Sequence, residues 1–229
     1  PPRSTLFPYT TLFRSEGNQG ALFIQTPSGK KILINSGEFA NPLSSELGEH
    51  IPAISRKVDM AIATTSKQKN YQAFSKILER FSVNQFIWVD QVPSTTAAKE
   101  INKILKENET NIRVLKAGEK IDCGDGVLLS KLEQPNSGNS LLVTYGEFRF
   151  VYLEEIENSL EEDQILEGAV VLIPPGKKAE FVLEDRIPQI LIHHDIEIDW
   201  DEPGQLSTDN LGKIEITTDG SQLWLRSEK

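Results

Sequence analysis

The sequence is poor in the residues that build cross-links, imidazole sites and membrane spans. Its 229 residues include a single cysteine, Cys123, which excludes an internal disulfide. Only three histidines occur, and two of them, His193 and His194, stand together before Asp195. No run of about 18 apolar residues is present, so the printed sequence contains no candidate membrane-spanning helix. These shortages leave the order of apolar and polar residues as the main guide to the fold.

Positive charge is also in short supply. The chain has 24 Lys and Arg residues against 34 Asp and Glu residues, a formal net charge of −10 at pH 7. An acidic surface of this kind keeps a protein in solution and repels nucleic-acid phosphates at long range. The composition therefore lowers the expectation of direct DNA binding, for which a local basic patch would be needed.

The first 15 residues differ in origin from the rest. The segment PPRSTLFPYTTLFRS matches, without a mismatch, the translation of a short-read sequencing adapter. It lacks both the long apolar run and the small-residue cleavage site of a signal peptide. We therefore expect residues 1–15 to be an adapter-derived artefact with no structural role. On this interpretation the natural frame is joined at Glu16, and its true upstream sequence is unknown.

Residues 16–229 have the length of one large domain with a substantial core. Apolar runs at 21–25 and 31–35 flank the turn TPSGK, which predicts a hairpin. Apolar residues three and four apart predict an amphipathic helix over 67–81, and a second is predicted over 94–107 with Ser94 as its N-cap. A loop that includes at most one helical turn is expected over 41–50. His50, without an acidic or cysteine neighbour at ligand spacing, is expected in that loop.

The remaining elements are mostly strands. They are predicted at 58–64, 85–89, 111–115, 127–132, 140–145, 147–153, 169–173 and 188–193, with a turn at 122–126 and an acidic helix at 154–166. The segment GKIEITTDGSQLWLR predicts a terminal hairpin with Asp219 and Gly220 at its turn. No internal repeat is evident. Strand pairs that alternate with helices favour an α/β fold with two helix-covered sheets over a single parallel sheet.

Several segments, taken in order, resemble a metallo-β-lactamase-fold domain. The stretch NQGALFIQTPSGKKILINSG resembles the family opening DVGQGDAILIQTPSGKTILIDGG, in the version found at the C-terminus of ComEC competence proteins. The further matches are ILERF, AGEKIDCGDGVLLSKLEQP, NSLLVTYGEFRFVYLEEIE and GKIEITTDG. The resemblance covers nearly all of residues 16–229. It implies a four-layer αββα sandwich whose first strand is missing upstream of Glu16.

The family's metal-binding residues are replaced at most aligned positions. The family carries HxHxDH, or HPDADH, before the helix that ILERF matches, and it holds zinc or manganese there. The aligned residues in this chain are Thr65, Lys67, Lys69 and Asn70. Asn35 stands for the Asp of ILIDGG, Glu155 for the Asp of LLTGD, and Pro174 to Lys177 for PHHGS. Because a lysine ammonium has no lone pair for a metal, the resemblance implies a catalytically silent domain without a metal or other cofactor.

Three functions stay open at this point. The first is an accessory domain of a ComEC-like DNA-uptake protein, with a membrane channel domain encoded upstream as its partner. The second is an altered hydrolase of the nuclease or phosphodiesterase kind that uses Glu155 with His193 or His194. The third is a stand-alone interaction module. In the ordinary interpretation, the two histidines only end a strand and the acids of residues 154–163 form a solvated helix face.

A basic pocket is a further hypothesis. Lys67, Lys69 and Lys177 would converge where the metals normally lie and would bind an anion, such as a phosphate or a DNA backbone. The simpler interpretation is a filled corner whose lysines extend into water.

Overall fold

The computed structural model describes residues 9–13, 21–64, 67–132, 139–153, 168–173, 189–193 and 204–228, and of residues 9–13 only the backbone. Six strands come first along the chain: β1 (Tyr9–Phe13), β2 (Ala21–Gln25), β3 (Lys31–Ile34), β4 (Lys57–Ala63), β5 (Ser82–Val89) and β6 (Asn111–Leu115). Three helices alternate with them: α1 (Ala40–His50), α2 (Phe74–Arg80) and α3 (Thr96–Glu107). A 3-10 turn, Gln68–Asn70, precedes α2.

Seven strands then form a second sheet: β7 (Lys120–Gly124), β8 (Val127–Lys131), β9 (Leu141–Tyr145), β10 (Phe148–Tyr152), β11 (Val170–Leu172), β12 (Ile190–His193) and β13 (Gln205–Ser207). After the short helix α4 (Thr208–Leu211), β14 (Ile214–Thr218) and β15 (Leu223–Ser227) return to the first sheet. The strand orders are β15-β14-β1-β2-β3-β4-β5-β6 and β13-β12-β11-β10-β9-β8-β7.

The parallel parts of the two sheets decide where a site can form. Strands β3 to β6 run parallel to one another, and so do β10 to β13. Because the carboxyl ends of parallel neighbours meet at one sheet edge, the residues just after β3, β4 and β5 lie side by side. This edge is where open α/β sheets place their ligands.

Alternation along the strands separates two cores. Ile62 and its inward-facing neighbours pack between the sheets against Tyr152 and Ile192. Ala61 and Ala63 face the other way, into a core shared with α1, α2 and α3. The described residues thus form three layers: the helices α1, α2 and α3, then the first sheet, then the second sheet. The predicted acidic helix at 154–166, which would cover the second sheet, lies outside the described residues.

Residues 41–50, predicted as a loop, form most of α1, and this prediction was wrong. Leu43 and Leu47 are spaced four apart and are both buried against the first sheet. Pro42 argues against a helix interior in the sequence. Proline is nevertheless tolerated in the first helical turn, because the N–H it lacks would have no helical partner there. His50 is therefore the last residue of a helix and lies four residues after Glu46.

The two other predicted helices, over 67–81 and 94–107, are shorter in the structure. The backbone carbonyl of Gly37 accepts from the N–H of Ala73 at 3.1 Å, and that of Asn70 accepts from Ser36 and Gly37. These contacts with the loop after β3 hold residues 68–73 in turns, and the α-helix begins only at Phe74. Helix α3 is capped by Thr95, whose Oγ1 accepts from Ala98 N at 3.2 Å, and Ser94 is not the cap.

Three strands were not predicted, and one of them is β13 (Gln205–Ser207). Lys120–Gly124 forms β7, whereas the sequence indicated only a turn beginning at Asp122. Tyr9–Phe13 pairs antiparallel with both β2 and β14. The expectation that residues 1–15 have no structural role is therefore corrected for these five residues, which take the position expected for the missing first strand. The adapter origin of the segment stays a prediction.

Candidate functional site

The candidate site lies where β3 and β4 end. Asn35 follows β3 and Thr64 follows β4, and Ile34 pairs with Ile62 between the two strands. Both Asn35 and Thr64 are fully buried. The backbone N–H of Asn35 donates to Ile62 O at 2.8 Å, so the end of β3 stays attached to its neighbour as the chain turns away.

The side chain of Asn35 uses both its amide hydrogens and its carbonyl oxygen. Its Nδ2 donates to Thr64 Oγ1 at 2.7 Å and to the Tyr152 hydroxyl at 2.8 Å. Its Oδ1 accepts from the backbone N–H of Thr64 at 3.0 Å. The residue has a φ of +58°, a left-handed conformation that asparagine adopts more readily than most residues. We call these three side chains the Asn35–Thr64–Tyr152 network.

Tyr152 brings the second sheet into this network. It ends β10, and its ring is fully buried between the sheets. The bond from Asn35 to Tyr152 therefore crosses from one sheet to the other over 117 residues of sequence. Sequence reasoning missed Thr64 and Tyr152. The only sequence signal for Tyr152 was its place as the second-last residue of the strand predicted over 147–153.

Asn70 closes the corner from the side of the 3-10 turn. Its backbone carbonyl accepts from Ser36 N at 3.1 Å and from Gly37 N at 2.8 Å. The side chain is buried, and its Oδ1 has no hydrogen-bond partner among the described residues. A single neutral amide oxygen is all that this position offers a metal.

Lys67, which precedes the 3-10 turn, and Lys69, which lies within it, are both exposed. The carbonyl of Lys67 accepts from Asn70 N at 3.0 Å, so the backbone of Lys67 contributes to the turn. Thr65, Glu155 and Lys177 lie outside the described residues, and a convergence of Lys177 on the two other lysines stays a prediction.

The described corner does not fit a zinc or manganese ion. Zinc sites are built from imidazole, thiolate and carboxylate groups, and manganese prefers carboxylate and carbonyl oxygens. None of the four described positions that align with the family's metal-binding pattern carries an imidazole, a thiolate or a carboxylate. The residues at these positions are Asn35, Lys67, Lys69 and Asn70. The Asn35 amide already takes part in three hydrogen bonds, and Lys67 and Lys69 are cations that repel a metal ion.

His193 lies on the other face of the second sheet. Ile192 packs in the core between the sheets, and alternation directs the His193 side chain to the opposite face. The imidazole is buried, and Gln205 Nε2 donates to its Nε2 at 3.0 Å. The structure thus places His193 away from the Asn35–Thr64–Tyr152 network, and its pairing with Glu155 in the altered hydrolase stays a prediction. His194 lies outside the described residues.

A second cluster of ionisable groups lies at the end of α1. Ligand atoms of Glu46, Glu49 and His50 lie within 4.8 Å of one another, so the expectation that His50 lacks acidic neighbours was wrong. The Lys213 ammonium lies 3.6 Å from Glu46, 3.5 Å from Glu49 and 3.5 Å from Glu215. A lysine thus already provides the positive charge among these carboxylates.

Burial and charge shift the pKa values in this cluster. Burial raises the pKa of Glu46 against the opposing effect of Lys213. Burial lowers the pKa of His50, and the nearby Lys213 lowers it further. For Lys213, burial acts to lower the pKa, but Glu46, Glu215 and Glu49 together raise it. The arrangement is an ion-pair network that ties α1 to β14.

An open groove of about 680 Å³ lies next to the corner, on the helical side of the first sheet. It runs between the start of α1, the 3-10 turn and the start of α3, and Phe39 is 49% exposed on its wall. Its charged residues are Glu38, Glu100 and Lys76, of which Lys76 is paired with Glu79 at 2.8 Å. The groove contains no histidine or cysteine, and its lining shows no constellation for nucleophilic catalysis.

None of the helices in the described part of the chain is long and apolar enough to cross a membrane. The sequence matches no protein-family model and no curated protein.

Comparison with solved structures identifies the fold. The metallo-β-lactamase fold protein YhfI from Bacillus subtilis superposes with a TM-score of 0.60 at 10% identity, over 96% of this chain and 100% of that one. Zn²⁺-bound PqqB from Methylobacterium extorquens follows with a TM-score of 0.51 at 11% identity, over 68% of this chain and 56% of that one. Identities this low show the fold alone. The predicted metallo-β-lactamase architecture is confirmed.

Proposed function

We propose that this chain is a metallo-β-lactamase-fold domain without metal-dependent hydrolase activity, and that it serves a structural or interaction role. The observation that carries the proposal is the donor set of the corner. Two lysines and two asparagines occupy the four described positions that align with the family's metal-binding pattern, and Asn35 uses its amide to join the two sheets.

Hydrolysis in this fold depends on the metal. A bound ion lowers the pKa of a water molecule and polarises the oxygen of the bond under attack. Without it, the side chains of the Asn35–Thr64–Tyr152 network offer amide and hydroxyl groups, which are weak bases near neutral pH. The described corner therefore has neither a strong nucleophile nor a group to activate one.

The wider context that we propose is a ComEC-like DNA-uptake protein. The segment resemblance supports it, in particular the hairpin around TPSGK and the strand pair around Tyr152. In such a protein a silent domain would contribute contacts to a neighbouring membrane channel domain. The net charge of −10 favours contact with protein over direct contact with DNA. A stand-alone interaction module is the alternative role for the same silent domain.

A DNA-cleavage assay tests the proposal. Purified chain is incubated with single-stranded and double-stranded DNA in the presence of Mn²⁺ or Zn²⁺, next to a metal-dependent nuclease as the positive control. We expect no cleavage above the buffer background. Cleavage that a chelator abolishes and that Glu155→Ala removes would overturn the proposal in favour of an altered hydrolase.

A further inference from the structure

Side chains of the corner join the two sheets directly. The positions aligned with the family's metal ligands lie after β3 and β4 in the first sheet and after β10 in the second. An ion held by residues from both sets of positions would connect the two sheets at this edge. In this chain, Asn35 and Tyr152 make that connection directly, 2.8 Å apart.

The three side chains of the network are buried, and the Asn35 amide finds its hydrogen-bond partners within the network. Asn35, Thr64 and Tyr152 are each fully buried. Asn35 donates both amide hydrogens and accepts the Thr64 backbone N–H, so its Nδ2 has no spare hydrogen for a ligand. Removal of one partner would leave a polar group in the core without a hydrogen bond, which costs more than the bond itself contributes.

A second polar contact connects the two sheets further along the same edge. Asp90 follows β5, and its carboxylate lies 3.1 Å from the ammonium of Lys131 on β8 of the second sheet. Lys131 is only 9% exposed. Two polar contacts therefore connect the sheets along the edge where the family fold has its open site.

We infer that the Asn35–Thr64–Tyr152 network replaces the metal as the connection between the sheets, so that the folded domain needs no ion for its stability. This inference rests on the proposed function, because it assumes a corner without metal. It adds a role for three residues: they preserve the geometry of the edge after the loss of the catalytic ligands.

Substitution of the tyrosine hydroxyls gives a matched test. Tyr152→Phe removes the hydroxyl that Asn35 contacts and keeps the ring. Tyr145→Phe makes the same change on the neighbouring strand β9, where no hydrogen bond of the hydroxyl occurs among the described residues. Thermal unfolding is measured for the wild type and both variants, with and without a chelator. Hydrogen exchange of the Thr64 amide is followed in each.

We expect Tyr152→Phe to lower the midpoint of unfolding by about 3 to 8 °C and to speed exchange of the Thr64 amide, since the Asn35 amide loses a buried partner. Tyr145→Phe should change neither quantity, and the chelator should leave every midpoint unchanged. Equal midpoints and equal Thr64 exchange for the two variants would overturn the inference while the proposed function stands. A midpoint of the wild type that falls with chelator would instead contradict the proposed function.

If Tyr152→Phe fails to fold, the same test runs on Thr64→Val, which removes one hydroxyl from the network and keeps the side-chain shape. We expect a lower midpoint than in the wild type, again without an effect of the chelator. A midpoint equal to that of the wild type would contradict a stabilising network.

Discussion

The ammonium of Lys131 and the carboxylate of Asp90 form an ion pair of 3.1 Å that joins β8 of the second sheet to the end of β5 in the first. The two partners differ in exposure, at 9% for the Lys131 side chain and 48% for that of Asp90. Asp90 has a φ of +72°, which asparagine also tolerates. The pair can therefore be broken from either side without strain in the backbone.

The two ways to break this pair should differ in cost. Asp90→Asn leaves a buried ammonium without its counter-charge and should lower the free energy of unfolding by about 1 to 2 kcal/mol, since the half-exposed carboxylate limits the effect. Lys131→Met removes the buried charge itself and should cost less than about 1 kcal/mol. Urea denaturation of both variants measures the difference. A larger loss for Lys131→Met would show that the lysine contributes chiefly through packing.

A contact between two hairpin turns also joins the sheets. Gly146, in the turn between β9 and β10, lies against Gly220 in the turn between β14 and β15, and Phe148 N donates to Gly220 O at 3.0 Å. A Cβ at Gly146 would lie 2.8 Å from that same oxygen. The two turns can approach this closely because Gly146 lacks a side chain.

Gly146→Ala should therefore destabilise the domain more than Gly126→Ala. Both glycines have positive φ, +58° and +81°, so both variants bear the cost of the left-handed conformation, about 1 to 2 kcal/mol. A Cβ at Gly126 meets nothing within 4 Å, and only Gly146→Ala adds a clash with backbone. Equal unfolding free energies for the two variants would show that the turns do not touch in solution.

The ion-pair network at the end of α1 predicts a pH dependence of stability. Burial and Lys213 lower the pKa of His50 in the folded state below its value in the unfolded chain. Between the ordinary pKa of histidine, near 6.5, and the lowered pKa, the folded state therefore binds fewer protons than the unfolded chain. Stability is lost as the pH falls through this range. Each unit of difference in pKa corresponds to about 1.4 kcal/mol.

Unfolding measurements between pH 8 and pH 5 check this contribution. His50→Gln should lose less stability on acidification than the wild type. Glu46, whose pKa is raised by burial, acts in the opposite direction, because the folded state binds the extra proton as the pH falls through that raised value. Glu46 is present in both proteins, so the difference in slope is assigned to His50. Identical slopes would contradict a buried neutral imidazole.

The lysines at the corner allow a direct test of anion binding. Lys67 and Lys69 are exposed, and the net charge of the chain opposes the approach of DNA. We expect no gel shift of DNA near physiological salt. A shift that weakens with salt, that Lys67→Glu with Lys69→Glu abolishes, and that the control Lys103→Glu on α3 leaves intact would establish a phosphate-binding corner instead.

The fold was largely predictable because its signals are local. The run VDMAIA and the hairpin around TPSGK gave strands with their buried faces, and the order of such segments indicated two sheets. The boundaries that failed depend on tertiary contacts. Residues 68–73 have helical periodicity, but hydrogen bonds with Ser36 and Gly37 keep them in turns. Thr95 caps α3, one residue away from the predicted cap, and its hydroxyl also lies 2.7 Å from the Tyr71 hydroxyl.

For the site, the sequence predicted only which aligned positions would lack a metal-binding side chain. The aligned positions predict that histidine and aspartate are replaced, and this prediction needs no coordinates. What fills the corner depends on how two sheets meet, and no local pattern connects Asn35 with a tyrosine 117 residues away. The cluster around Lys213 escaped prediction for the same reason, because Lys213 reaches Glu49 across 164 residues of sequence.

The metal content of the purified chain tests the central claim most directly. The protein is incubated with zinc or manganese, dialysed, and analysed by inductively coupled plasma mass spectrometry next to a zinc-binding protein of the same fold. We expect a metal content far below one ion per chain for either metal, with no change in Asn70→Ala. About one tightly held ion per chain, lost in Asn70→Ala, would show that the corner still binds a metal and would contradict the account.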